Sequence, residues 1–367
     1  MTGNREISAT AWPAYLLVWI LVLVFASAAP GAKEALSGEG GKVVYSQAEL
    51  DSMVSRAERY MDAEEIEAAM DLFARLVEAD PEDAHLRTRL GYAYLKKENF
   101  KAAKETFEAA KKLDRTLPEA YVGLGMAHIK TPARGLTAYY NFRRAVGEAK
   151  RAIKIDSTYA SAYWLLGEGY EEFEEDHEKA VGYFMKYIEL ESDNPEGLYA
   201  FGVACIQAKQ YEKLDQYLVA YMEKNPQETR LLALVGQAHF FLERFDLALE
   251  YFERYLQTLD KAEHQLYTDI SFVASKKEVE DLQATPQAER VAYLEQFWLR
   301  RDSDILTKIN ERIIEHYRRV WHARTFFSKH VQPWDRRGEV YIRYGEPDHR
   351  ARSVERHVQI SPEVEAV

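Results

Sequence analysis

Five glycines recur through the middle of the chain: Gly91, Gly125, Gly167, Gly202 and Gly236. Their spacings are 34, 42, 35 and 34 residues. A pattern recurs around them: an apolar residue precedes each glycine, a Tyr or His follows three positions on in four of the five, then in the clearer copies come Ala-x-x-x-Phe and finally Pro or Asp. The clearest copy is Leu90-Gly91, Tyr94, Ala103, Phe107 and Ala110. An earlier copy lacks the glycine but keeps Tyr60, Ala69, Phe73 and Pro81. The long interval fits an eight-residue insertion around Thr131 to Tyr140. A fixed period of this length marks a stacked-repeat architecture. It predicts six copies from about Leu50 to Asp260.

The spacing has a physical cause. Each copy reads as two antiparallel helices, with Gly and Ala where the helices approach too closely for a large side chain. Aromatic and leucine positions fill the remaining space. Pro81, Pro118, Pro195 and Pro226 are expected in turns between copies, because proline cannot continue a helix. One copy cannot bury its apolar face alone, so neighbours must stack. These positions resemble the tetratricopeptide repeat (TPR) family over residues 49–260. The resemblance implies an all-α superhelical solenoid of about six helix-turn-helix repeats. It also implies a groove, lined by the first helix of each repeat, that takes a peptide or a helix.

In that register the inward positions are Tyr92, Val122, Met126, Trp164, Tyr199, Val203, Gln237 and Phe240. They are mostly apolar or aromatic. Some TPRs hold a terminal carboxylate with a Lys/Asn/Arg clamp, but Thr88 and Tyr92 stand where its Lys and Asn would be. A hydrophobic or helical protein partner fits better. The same residues could instead pack against the chain's own C-terminal region, and both readings stay open here.

The N-terminus is a separate element. A short polar start with Arg5 leads into an apolar run from Ala11 to Ala29, ending Ala26-Ser27-Ala28-Ala29. This order describes an export signal over residues 1–30, cleaved after Ala28. An uncleaved anchor over residues 11–29 is the rival, since this length nearly spans a bilayer. Either way the expected setting is the periplasm or cell envelope. Residues 31–48, with Gly31, Gly38, Gly40 and Gly41, read as a linker.

After Asp260 the repeat stops. Residues 261–296 read as helices capping the solenoid, interrupted at Pro286. A helix is expected from about Leu306 to Ser328. The alternation of Val340, Ile342 and Tyr344 predicts a short strand, ended by Gly345-Glu346-Pro347-Asp348. That makes residues 297–350 a small α+β segment, with a polar tail over 351–367. Two elements carry a second resemblance. One is Phe297-Trp298 with Arg301-Asp302. The other is Arg337-Gly338, Tyr341-Ile342, Tyr344-Gly345 and Pro347-Asp348. They are similar to the start of the bacterial GWxTD domain, although the naming motif departs: Pro333 stands for its glycine, and Trp334 precedes Asp335-Arg336-Arg337. Members of that family are typically exported, often carry TPRs and are largely of unassigned function. They usually continue with more strands, so the resemblance leaves a short variant and a fragment both open.

Charge is uneven. The chain carries −12, but residues 297–360 hold 14 Lys/Arg against 9 Asp/Glu. That basic segment could face an anionic partner or pair with the acidic repeats; nucleic acid is not expected for an exported chain. The single Cys205 excludes an intramolecular disulfide. No histidine pair has the HExxH spacing and no GxSxG is present, so no metal, cofactor or catalytic residue is assigned. The leading function is an exported TPR scaffold. An envelope enzyme or enzyme subunit with its site in the GWxTD-like segment, and a membrane-associated assembly factor, are the alternatives.

Overall fold

The computed structural model describes residues 45–302, 309–329 and 331–347. The expected export signal, most of the linker, Asp348 and the tail lie outside the described residues. Among the described residues every regular element is a helix and no strand occurs. Packing divides them into two compact units, 45–175 with 186–196 and 176–185 with 197–347.

The first unit contains α1 (Gln47–Asp62), α2 (Ile66–Ala79), α3 (Ala84–Lys96), α4 (Phe100–Leu113), α5 (Pro118–Lys130), α6 (Gly135–Ile155) and α7 (Ala160–Gly169). Next along the chain is α8 (His177–Leu190), whose two ends belong to different units. The repeat continues through α9 (Pro195–Gln207), α10 (Tyr211–Lys224), α11 (Leu232–Phe241) and α12 (Phe245–Thr258). The second unit then adds α13 (Lys261–Thr268), α14 (Lys276–Ala284), α15 (Arg290–Leu299), α16 (Glu311–Phe326) and α17 (Arg336–Tyr344).

Local chemistry sets the boundaries. Ser46 and Glu49 form a reciprocal capping box, so α1 starts at Gln47, inside the span expected as linker. Asp83 and Asn99 cap α3 and α4 with their side chains. Pro118 and Pro195 do not sit in turns: each is the first residue of its helix, where the missing N–H has no intrahelical partner to lose. The insertion after α5 lengthens α6 to 21 residues, against 14 for α2 and α4.

The core runs along the seam between helices. Phe107 of α4 is fully buried and lies against two glycines. A Cβ on Gly91 would stand 2.7 Å from its ring, and one on Gly123 only 2.2 Å. Ala103, Leu124 and Ala127 close the same cluster, and Tyr92 meets the Phe107 ring edge-on at 5.1 Å. In the second unit Gly236 lies against Phe252 in the same way, with a Cβ-to-ring distance of 3.0 Å.

Two expectations near the C-terminus change. The segment predicted as a strand is α17. Its buried residues are Gly338, Tyr341 and Ile342, a helical spacing, whereas Val340 and Tyr344 are 56% and 71% exposed. Asp335 caps the start, accepting from the Arg337 amide, and Gly345 at φ +84° closes the end. A three-residue alternation is too short to outweigh a cap at each end. The preceding helix, α16, begins at Glu311, because the Asn310 side chain accepts from the amides of Arg312 and Ile313; Ile309 and Asn310 are not helical, and the expected start at Leu306 lies outside the described residues.

If the glycine–phenylalanine fit sets helix spacing, Gly123→Ala lowers stability in denaturant unfolding by about 1–3 kcal/mol, the range for overpacking a tight core. Adding Phe107→Leu restores part of the loss. Equal stability of Gly123→Ala and the parent chain would contradict this.

Candidate functional site

The C-terminal helices assemble around aromatic and arginine residues. Phe297 and Trp298 are buried and meet edge-to-face at 5.0 Å. Arg301 lies 3.7 Å from the Phe297 ring centre and pairs with Glu278 at 2.8 Å. Glu278 is itself the capping-box acid of α14, and hydrogen bonds from Ser275 and Arg301 hold its carboxyl down at about 2. Asn310 donates to the Trp298 carbonyl at 2.7 Å, tying the start of α16 to the end of α15. His316 is buried beside Trp298 and its Nε2 lies 3.1 Å from the Tyr267 carbonyl. That contact assigns Nε2 as the donor. Burial pulls the His316 pKa down to about 4, so the ring is neutral near pH 7.

Two consecutive buried arginines on α16 do different work. Arg319 donates to the carbonyls of Ile342 and Arg343, each at 3.2 Å, and pairs with Glu315. It neutralises the C-terminal end of α17, where unpaired carbonyls carry partial negative charge. Gly345 is required twice here: its φ is positive, and a Cβ would stand 2.7 Å from Arg319 Nη2. Arg318 points the other way along the packing. Its guanidinium lies 5.1 and 4.9 Å from the ring centres of Phe240 and Phe241 on α11. Its Nη1 donates to the Tyr341 hydroxyl at 3.2 Å, and Glu346 stands at 3.8 Å. Gln237, buried on α11, donates to the Arg318 carbonyl at 3.0 Å. Helix α16 therefore occupies the α11 face that the repeat register turns inward. A cavity of about 210 Å³ remains beside it, lined by Gln207, Tyr211, Gln237, Phe241, Arg318 and Glu346 among others. Burial and the nearby Glu346 push the Tyr211 hydroxyl up to about 12.

The sequence-predicted positions separate into groups. Gln237 and Phe240 contact the chain's own C-terminal helix. Val122 is fully buried in the helix packing, so it presents no side chain to a groove. Tyr199 and Val203 are half-buried in the second unit. Tyr92, Met126 and Trp164 are half-buried in the first unit. The Tyr92 hydroxyl donates to the Glu119 carbonyl at 3.3 Å, and Trp164 meets Tyr187 edge-on at 5.1 Å. Thr88, at the absent clamp position, is buried with its hydroxyl donating to the Ala84 carbonyl.

Sequence reasoning missed two half-buried carboxylates on this face. Burial raises the Glu119 pKa, against the pull of Arg89 and His85. Burial pushes Glu168 up to about 7, against Lys130 and a hydrogen bond from Trp164. The signal for Glu168 was present: it follows Gly167 as Tyr92 follows Gly91 and Met126 follows Gly125. It was passed over because its charge does not fit an apolar groove.

The GWxTD-like positions are mostly structural. Trp334 is buried against Gly338, where a Cβ would stand 2.6 Å from the indole, and meets Phe272 at 5.7 Å. Tyr341 stacks on His322 at 4.0 Å. Arg337 pairs with Asp335 at 2.6 Å, holding that carboxyl below its usual range, and lies over Phe327. Asp302 is half-buried, Pro347 lines the cavity, and Tyr344 is exposed. Arg301 and Arg337 are thus paired separately, with Glu278 and Asp335. Cys205 is buried, which drives its thiol up to about 12 and away from reactivity at neutral pH. Among the described residues no group of three His, Cys, Asp or Glu could hold a metal, and no helix is long and apolar enough to cross a membrane.

Comparison with known proteins agrees with this architecture. Residues 60–129 match a tetratricopeptide repeat family model, and residues 245–360 match the GWxTD domain. Over those residues the chain is similar to tetratricopeptide-repeat and GWxTD-domain proteins, and the GWxTD match begins at the first residue of α12, upstream of Phe297. Among solved structures, a thermophilic TPR protein from Thermus thermophilus is 17% identical, with TM-score 0.45, covering 56% of this chain and 99% of its own. YrrB, a TPR protein with an unusual peptide-binding site, is 18% identical, with TM-score 0.41, covering 50% and 91%. Pseudomonas aeruginosa pilF is 19% identical, with TM-score 0.47, covering 59% and 95%. No curated protein matches the sequence.

The neutral His316 gives a signed pH dependence. Its folded pKa of about 4 lies below the ordinary value of 6.5. The unfolded chain therefore binds more protons between those values, and stability is lost as pH falls through that window. Relative to His316→Gln, which keeps a donor for the Tyr267 carbonyl, the parent chain should lose about 3 kcal/mol from pH 7 to pH 4. Parallel stability–pH curves for the two would contradict a neutral buried imidazole.

Proposed function

We propose that the chain is a protein-binding scaffold of the cell envelope whose working surface is the face of α3, α5 and α7 bearing Tyr92, Met126 and Trp164. One contrast carries the proposal. The equivalent face of α11 is occupied by the chain's own α16, through Gln237 and Phe240. In the first unit the helices packing on α5 are its repeat neighbours α3, α4, α6 and α7, and Tyr92, Met126 and Trp164 stay half-buried.

Aromatic and thioether side chains give broad apolar contact at low entropic cost. Glu119 and Glu168 stand on the same helices, and a desolvated carboxylate gains most from a cationic partner. The best-fitting occupant is an amphipathic helix with apolar anchors and one or two Lys or Arg residues. The GWxTD domain ends the repeat stack and supplies a second contact surface. The apolar run at residues 11–29 supports export, with the mature chain either released after Ala28 or held at the membrane. No cofactor enters this role.

The test is site-specific photo-crosslinking from position 126 in the native host. A discrete adduct with an envelope protein is expected. Tyr92→Ala combined with Trp164→Ala should weaken capture about tenfold or more, as for two central aromatic anchors. Capture unchanged by that double substitution would move the binding surface elsewhere. N-terminal sequencing of the host-derived protein decides between a start after Ala28 and a retained apolar segment.

A further inference from the structure

A cleft of about 520 Å³ opens on the first unit, and its lining includes none of Tyr92, Met126 and Trp164. Its floor is α5, through Tyr121, Leu124 and His128; α4 and α6 form the walls. His128 is 7% exposed, and its Nδ1 has no hydrogen-bond partner. A buried polar atom without a partner is costly, and an external ligand is one way to satisfy it.

The charges around this histidine are predominantly positive. Lys111, Lys112, Arg115 and Arg144 line the cleft against Glu108 and Glu148. Glu148 is buried and already engaged, by Lys111 at 2.5 Å and by Arg151 at 2.7 Å. Lys111 also lies over the Tyr121 ring at 4.5 Å. Lys112, Arg115 and Arg144 have no ion-pair partner among the described residues, in a chain whose net charge is −12. The positive field is felt at the floor: burial first, then Lys104, Arg144 and Lys111, draws the His128 pKa down to about 4, with Glu148 alone opposing.

We infer that this cleft binds a phosphate monoester, its oxyanion held by Arg115, Arg144 and Lys112 with His128 at the base. A doubly charged oxyanion matches several convergent cations better than a single carboxylate does. The cleft is larger than a bare phosphate needs, and Tyr121 and Leu124 offer an apolar wall to the organic part. A soluble phosphate ester and a phosphorylated side chain share this chemistry. Binding places negative charge beside His128 and favours its protonated form.

The experiment follows the His128 ring signal by NMR in the full chain with labelled histidine, assigned by its loss in His128→Gln. The probes are glycerol phosphate, a phosphoserine peptide, inorganic phosphate and sulfate, with calorimetry in parallel. Saturating glycerol phosphate or phosphopeptide should raise the His128 pKa by about one unit or more, as an adjacent opposite charge does. Arg144→Ala, at an exposed position, should weaken binding about tenfold without altering the fold. Tighter binding of the peptide identifies a phosphorylated protein as the source; tighter binding of glycerol phosphate identifies a soluble ester. Equal, weak binding of phosphate and sulfate would mean an adventitious ion only and overturn the proposal. So would an unmoved His128 signal, or full binding by Arg144→Ala.

Discussion

The close approach of helices across a glycine is the constraint from which the architecture follows. Phe107 is fully buried only because Gly91 and Gly123 leave its ring the space that any Cβ would take. The same fit recurs where Gly236 meets Phe252. Each occurrence fixes a helix–helix distance, and the distance fixes where the next pair must pack. A protein without disulfides, with a single buried cysteine, depends on such packing for its stability.

A stack of this kind must end, and its last apolar face needs cover. In the second unit that cover is α16, held on α11 by Gln237 and by the Arg318 guanidinium between Phe240, Phe241 and Tyr341. Burying an arginine is unfavourable unless its charge is met, and here aromatic faces, a hydroxyl and Glu346 meet it together. Its neighbour Arg319 closes α17. The motif residues Trp334, Gly338, Tyr341 and Gly345 stand where they let α17 and α16 fit together. The GWxTD match beginning at α12 agrees physically with this: the last repeat helix and the C-terminal helices share one core.

Much of this was legible in residue order. The repeat helices, the extra residues between α5 and α7 and the interruption at Pro286 follow from glycine spacing and turn chemistry, though not that the extra residues lengthen α6. The α17 segment was misread because Val340, Ile342 and Tyr344 alternate by chance, while its real determinants are the Asp335 cap and the helical set Gly338, Tyr341 and Ile342. The left-handed residues Glu64, Glu98, Glu175, Lys209 and Glu243 at the turns within pairs were not legible either, because glutamate and lysine carry no turn signal. Which groove residues face a partner and which face the chain itself could not be read from one repeat register. Gln237 and Met126 occupy equivalent positions, and only the three-dimensional return of α16 separates them.

Hydrogen exchange on the full chain tests that return most directly. Arg318→Leu removes the guanidinium while keeping an apolar side chain on α16. If α16 covers the last repeat as described, amide exchange should rise together in α16 and in α11, the helix that carries Gln237, Phe240 and Phe241. A rise confined to α16, or unchanged exchange in both helices, would contradict the account.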